Sequence, residues 1–378
     1  MPIQLRLLYR FILACSMVFF IATPALSHAA GNTIVIGQVI DLSSPNAEIG
    51  RDYVAGIKTY FDAANANGGI NGKQVRYVVR DDQGLPDNAA KAVGELIERD
   101  QVDYLIGGVG DVVTQAIVNT PVFKRSGHIL FAPLASASQQ HSQVLYWRPG
   151  YKQEIRYIFS HFSKLGIKDV GVMLQDSASY KDAYHSLTSE ISERGMRLTG
   201  TARIGANGEV TAVEVDKLTA TKPGVVIVIA NTISTGLFLK EFRRRDASTF
   251  VAGTSLINLS TLREVAGMRA VEWTVFSQVV PNPNASTSPI QMEHLSMMKK
   301  YRDEAVSSLT LEGFAAAKSL AKTIQQFKKS GRGALQELIA QNGDFDLGGL
   351  SIVANPKSNT LSSYVDIALF KKGSGLVF

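Results

Sequence analysis

Apolar and polar positions alternate along this chain in blocks. A run dense in β-branched residues, Ile34 to Ile40, leads into Ser43, Ser44, Pro45 and Asn46, and then Ile49, Tyr53, Ile57 and Phe61 recur at helical spacing. The first block predicts a strand covered on both faces, the last an amphipathic helix, with turn residues between them. The GGINGK turn at 68–73 offers positive φ before a second strand, Val75 to Arg80. The rhythm continues with helix Asp87 to Glu98, for which Asp87 is the expected N-cap, strand Tyr104 to Gly107, helix Val112 to Lys124 and strand Ile129 to Ala132. A polar segment, Ser136 to Gln143, and then Trp147-Arg148-Pro149-Gly150 interrupt it.

A second set of elements follows. Helices are predicted over Lys152 to Lys164, Ser179 to Arg194, Ser234 to Arg244 and Ser260 to Ala266, and strands over Val170 to Leu174, Val225 to Ala230, Phe250 to Ala252 and Val271 to Val280. PNPNASTSP, residues 281–289, reads as a connection. Helices near Pro289 to Ala305, Leu311 to Lys329 and Ala334 to Asn342, then strands Leu350 to Ala354 and Tyr364 to Phe370, finish the chain. Alternating strands and helices of this kind build parallel sheets with helices on both faces, an α/β fold. There is no short-period repeat and no low-complexity tract.

The N-terminus changes the picture. Arg6 and Arg10 precede an apolar run, Phe11 to Ala22, that is too short to span a bilayer, and Ser27 and Ala29 then supply an A-x-A-like processing point. Residues 1–29 therefore read as a signal peptide, with the mature chain soluble and outside the cytoplasm. The competing reading takes Ile12-Leu13-Ala14-Cys15 as a lipobox that acylates Cys15; almost no apolar run separates Arg10 from that cysteine, which argues against it. Cys15 is the only cysteine, so the mature chain would hold no disulfide, thiol nucleophile or thiolate metal site. Residues 30–378 are enough for two cores. Losing Arg6 and Arg10 lowers the formal net charge from +6 to +4, spread along the chain except at Arg243-Arg244-Arg245. That triplet suits the last turn of a helix, and no nucleic-acid partner is expected.

The stretch IVIGQVIDLSSPNAEIGRDYVAGIKTYFDAANANGGING, residues 34–72, resembles the start of the leucine/isoleucine/valine-binding protein family, the type I periplasmic solute-binding proteins that serve ABC importers. The resemblance implies two Rossmann-like lobes with parallel sheets joined by a three-crossing hinge. Lobe one would take residues 30–148 and 282–348, lobe two 149–281 and 349–378. It implies capture of a small-molecule ligand by hinge closure in the periplasm and delivery by a monomer to an ABC permease in the inner membrane, without cofactor, metal or catalysis. A periplasmic sensor reporting to a membrane receptor or kinase is the alternative.

Candidate site residues follow from strand ends and from that resemblance. Gly108-Val109-Gly110-Asp111-Val112-Val113 looks like a dinucleotide turn, but Val113 stands where a third glycine belongs and no acid occurs between Asp111 and Glu154 to hold a ribose. In the family this turn grips a ligand carboxylate through a serine, where this chain has Asp111; the other reading of Asp111 is a helix N-cap. Leu134, Ala135 and Ser136 resemble the family's second grip, and Tyr180 its closing tyrosine; an ordinary loop serine and a tyrosine packed on its own lobe are the alternatives. Asn231 and Ser255 sit at strand C-terminal ends, where open sheets bind ligands. Glu312 begins a late helix, facing the cleft or simply stabilising a helix N-terminus. An acid at the carboxylate grip and none in Gly253-Thr254-Ser255 to meet an ammonium group disfavour a plain α-amino acid. No G-x-S-x-G elbow and no metal-spaced histidines support an enzyme.

Overall fold

The structure is a computed structural model that describes residues 32–136, 141–327, 333–371 and 375–378. The signal peptide expected over residues 1–29, with Cys15, and part of the polar segment after Ser136 lie outside the described residues. Strands β1 (Thr33–Ile40), β2 (Gln74–Asp81), β3 (Tyr104–Ile106), β4 (Leu130–Phe131) and β5 (Val144–Leu145) form one sheet in the order β2-β1-β3-β4-β5. Its β1–β3, β3–β4 and β4–β5 pairs are parallel, with Ile36 opposite Tyr104 and Leu105 opposite Leu130. Helices α1 (Glu48–Ala66), α2 (Pro86–Glu98), α3 (Asp111–Asn119) and α4 (Pro121–Ser126) connect the strands.

The chain then leaves for a second sheet. It runs through α5 (Tyr151–Lys164), β6 (Asp169–Gln175), a 3-10 turn at Ala178–Tyr180, α6 (Lys181–Glu193), β7 (Arg197–Ile204), α7 (Ala212–Ala220), β8 (Val225–Ile229), α8 (Thr232–Arg243), β9 (Phe250–Gly253), α9 (Leu259–Ala266), α10 (Met268–Val271) and β10 (Thr274–Gln278). It returns as α11 (Pro289–Tyr301), α12 (Ser308–Gln326), α13 (Gly333–Ala340) and the antiparallel hairpin β11 (Asp344–Asp346) with β12 (Ser351–Val353). Strands β13 (Asp366–Lys371) and β14 (Gly375–Val377) complete the second sheet, in the order β14-β13-β10-β9-β8-β6-β7. Within it β7 to β10 are joined by parallel pairings, and β13 and β14 add antiparallel.

The late helices belong to the first core because α12 lies directly on α1. A Cβ on Gly56 would sit 1.9 Å from the Thr310 carbonyl oxygen, and one on Gly313 would sit 2.2 Å from that of Tyr53. Two glycines thus let the helix backbones touch, and Ile57, Phe61, Phe314 and Ala317 close the apolar seam around them.

Several expected elements differ. The helix expected over Val112 to Lys124 is two, because Pro121 lacks an N–H and the pre-proline Thr120 is extended; its Oγ1 then caps α4 by accepting from the Phe123 N–H. Leu85, not Asp87, occupies the N-cap of α2, with Pro86 in the first turn. The strand expected from Val271 begins only at Thr274, after the short α10 and Trp273 at φ 63°. Strand β7 and helix α7 were not expected at all: β7 is an edge strand that buries only Ala202 and Ile204, so its sequence RLTGTARI carries no continuous apolar run. The last passage between sheets, expected at Gly349, falls later, since Leu350, Ile352, Ala354 and Leu361 still pack in the first core.

Candidate functional site

Each sheet contains one point where the strand order reverses, between β1 and β3 in the first and between β6 and β8 in the second. Chains leaving neighbouring strands there diverge to opposite faces, which opens a crevice at the carboxyl ends. Both crevices face one cavity of about 330 Å³. The first sheet's side contributes Asp41, Ser44, Pro45 and Asn46 from the turn after β1, Ile49 from the first turn of α1, Gln83 and Gly84 after β2, and Val109 and Gly110 after β3. The second contributes Tyr151 and Ile155 of α5, Ser179, Tyr180 and Ala183, the run Ile227 to Asn231, and Thr254, Leu256 and Ile257.

Two of the expected site residues line this cavity. Tyr180 stands at the end of the 3-10 turn, half-buried, with its phenol pushed up by burial and by the Glu48 carboxylate. Asn231 caps α8, its Oδ1 accepting from the Ser234 N–H at 2.8 Å. The others stand just behind. The N-cap of α3 is Gly110, so Asp111 is the first helical residue and not a cap. Its Oδ1 accepts from the Ser136 N–H at 2.6 Å, while Oδ2 is buried without a donor. Burial pushes Asp111 up to about 7, Asp182 adds to the rise, and Arg148 opposes it. Leu134 and Ala135 are buried, and Leu134 exchanges backbone hydrogen bonds with the Gly108–Gly110 turn. Ser136 is also buried and accepts from the Tyr151 N–H at 3.3 Å. These residues brace the cavity wall.

Ser255 and Glu312 belong to a buried polar network beside the cavity. Its centre is Arg148, which donates to the Ser255 Oγ and whose Nε lies 3.5 Å from the Glu312 Oε1. Glu154 accepts from the Ser255 N–H at 2.9 Å and the Ser277 Oγ at 2.6 Å. Burial pushes Glu312 up to about 7, against the attraction of Arg148. Sequence reasoning used Arg148 only as a boundary marker. An arginine between Trp147 and Pro149, where the chain changes sheets, was the available signal.

Asp41 was also missed. Its Oδ1 accepts from the Ser43 and Ser44 N–H groups at 3.3 and 3.0 Å, and its Oδ2 accepts the Ser44 hydroxyl. Asp81 accepts from the Leu42 and Gln83 N–H groups at 2.9 and 2.8 Å and from the Ser43 hydroxyl. Asp82 accepts from the Gly84 N–H at 2.8 Å, and burial, with Asp41 and Asp81 nearby, pushes it up to about 6. Among the described residues, one oxygen from each of these three carboxylates lies within 4.8 Å of the others, a spacing compatible with a shared cation. The sequence signal was Asp41 directly before Ser43-Ser44-Pro45-Asn46, together with Asp81-Asp82 at the next strand end. Outside the cavity lining, Asn258 donates to Asp52 on α1 at 3.0 Å, and Asp52 also accepts the Ser307 hydroxyl at 2.7 Å.

The sequence profile of the family described as "Periplasmic binding protein" matches residues 33–373. The chain belongs to that family. Among its relatives, the Leu/Ile/Val-binding protein homolog 1 of Brucella suis is 24% identical over 87% of this chain and 89% of its own length. A substrate-binding periplasmic protein from Ralstonia solanacearum has a similar structure, at 27% identity and a TM-score of 0.83, covering 91% of this chain and 99% of that one. The fold is shared with the branched-chain amino acid substrate-binding protein LivJ of Streptococcus pneumoniae in complex with isoleucine, at 18% identity and a TM-score of 0.79 over 92% of this chain and 99% of that one. The family is a class of solute-binding proteins and not of enzymes. Among the described residues no helix is long and apolar enough to cross a membrane.

Proposed function

We propose that the protein is the periplasmic solute-binding component of an ABC-type importer, acting as a monomer that passes its ligand to an inner-membrane permease. The ligand is a small amino-acid-like, amide or amine solute without a free carboxylate. The observation that carries this reading is the cavity itself: turns at the carboxyl ends of both sheets converge on it, and Asp41 is its only charged lining side chain among the described residues. A ligand carboxylate there would be desolvated with no lining counter-charge.

Hinge closure would supply reversible capture. The first lobe would carry the five-stranded sheet with α11 to α13, and the second the seven-stranded sheet, with crossings near Arg148, near Val280 and between Leu361 and β13. The experiment is mass spectrometry of small molecules released from the protein purified out of native periplasm, followed by calorimetry and solution scattering with the compound found. Compaction and a raised melting temperature on binding are the expected results. A protein that carries no small molecule, or a compound that binds without compaction, would overturn the reading.

A further inference from the structure

We propose that the cavity takes a hydrophobic amine, its ammonium group held in the corner made by Asp41, Asn46 and Gln83 and its apolar body against Tyr151, Ile155, Tyr180 and Ile257. The proposal rests on the solute-receptor reading above and names the class of solute.

The unmet hydrogen-bonding capacity on this side of the cavity consists of acceptors. Asn46 lines the cavity with its Oδ1 buried and unpaired, and behind the same turns the Asp82 Oδ2 is also buried without a donor. A buried acceptor left without a donor is costly, so a bound molecule that brings N–H groups repays more here than one that brings oxygens. Asp41 is oriented for that role. A carboxylate offers about four lone-pair sites. The Ser43 N–H, the Ser44 N–H and the Ser44 hydroxyl occupy three of them, which fixes the group and leaves capacity on Oδ2. Gly84, at φ 69°, keeps the approach open, since a Cβ there would lie 3.2 Å from the Asp41 Oδ2.

The remainder of the cavity is mainly apolar, with Ser179, Asn231 and Thr254 as its polar side chains. Ile155, Ile227, Ile229 and Ile257 are buried, and the rings of Tyr151 and Tyr180 stand beside them. Unpaired buried donors do exist at Arg148, on Nε and Nη1, but Arg148 does not line the cavity and faces Glu312. Among the described residues, a carboxylate ligand finds no cationic side chain in the lining, whereas an amine finds Asp41 there. An inorganic cation would satisfy the acidic corner but leave the apolar wall empty.

The test is calorimetry and thermal shift on the full mature chain with phenethylamine and isopentylamine, set against 3-phenylpropionate, 4-methylpentanoate, leucine and calcium chloride. The amines should bind and raise the melting temperature, and the carboxylates should not. Asp41→Asn should weaken the amines by about tenfold or more, the usual effect of removing one partner of a buried charge pair. Because Asp41 also holds its own turn, a second variant is needed. Ala183→Phe, which fills the apolar end from α6, should abolish amine binding while leaving Asp41 in place. Binding of leucine or 3-phenylpropionate that Ala183→Phe abolishes would overturn the amine assignment, and with it the exclusion of a free carboxylate, but leave the solute-receptor role intact. Amine binding indifferent to Ala183→Phe would overturn both. Stabilisation by calcium with none by either amine would also overturn the assignment.

Discussion

The two walls of the cavity are built from opposite materials. On the first-sheet side the wall is made largely of turns, and its three carboxylates are bound to nearby backbone: Asp41 to Ser43 and Ser44, Asp81 to Leu42 and Gln83, Asp82 to Gly84. On the second-sheet side, strand β8 runs into the wall with Ile227, Val228 and Ile229, all buried, and the helices add Tyr151, Ile155 and Ala183. One wall orients a polar group; the other supplies apolar area. A solute that bridges them gains burial from one side and direction from the other, and neither wall alone suffices.

The comparison breaks most readily where the two sides share a buried charge. Glu312, on α12 of the first core, pairs with Arg148, which in turn reaches Ser255 beyond β9 of the second sheet. Glu312→Leu should lower the unfolding free energy by about 3 kcal/mol, because it strands a buried guanidinium; urea denaturation measures it. A loss under 1 kcal/mol would show that Glu154 alone satisfies the arginine.

Next comes the support of the polar wall. Gly56→Ala drives a methyl group into the Thr310 carbonyl and should cost roughly 2 kcal/mol, with α1 and α12 losing hydrogen-exchange protection before the second sheet does. Uniform loss of protection across both sheets would mean that the two sides unfold as one unit.

Asp111 gives a pH signature for the same side. Its carboxyl is raised in the folded protein to about 7 from an ordinary value near 3.8, so the folded state binds the extra proton. Its contribution to stability is therefore present below about pH 4 and lost as pH rises through 7. Asp111→Asn keeps an oxygen for the Ser136 N–H and should flatten that decline, leaving the variant about 1 kcal/mol more stable than wild type at pH 8. Parallel stability curves for the two proteins between pH 4 and 8 would contradict the assignment.

The smallest effect concerns the contact between Asn258 and Asp52. Asn258→Asp keeps the cap of α9, whose Ser260 and Thr261 N–H groups point at the side-chain oxygen, but sets a second carboxylate against Asp52. The melting temperature should change little, while small-angle scattering should show a larger radius of gyration at low salt than at high salt. An unchanged radius would remove this contact from any role in closure.

The alternation of strands and helices, the two sheets and the family were open to sequence reading because buried strands such as β1 and β8 are continuous apolar runs and α1 shows helical spacing. Among the elements missed, β7 and α7 each bury only two side chains, Ala202 and Ile204 in the first and Val215 and Leu218 in the second, too few to write a recognisable period. The site was read less completely, because a strand end marks where a cavity can form but not which side chain of the turn enters it. Tyr180 and Asn231 were expected and line the cavity, whereas Asp111 turned behind Gly110 to bind the Ser136 N–H. Asp41 and Tyr151 lie 110 residues apart in the chain and meet only because both sheets reverse strand order at the same opening. The sequence by itself thus determined most of the well-buried strands and helices, since burial writes a local period. Which turns converge, and whether a carboxylate faces the cavity or the backbone behind it, was decided by long-range packing, which leaves no period to read.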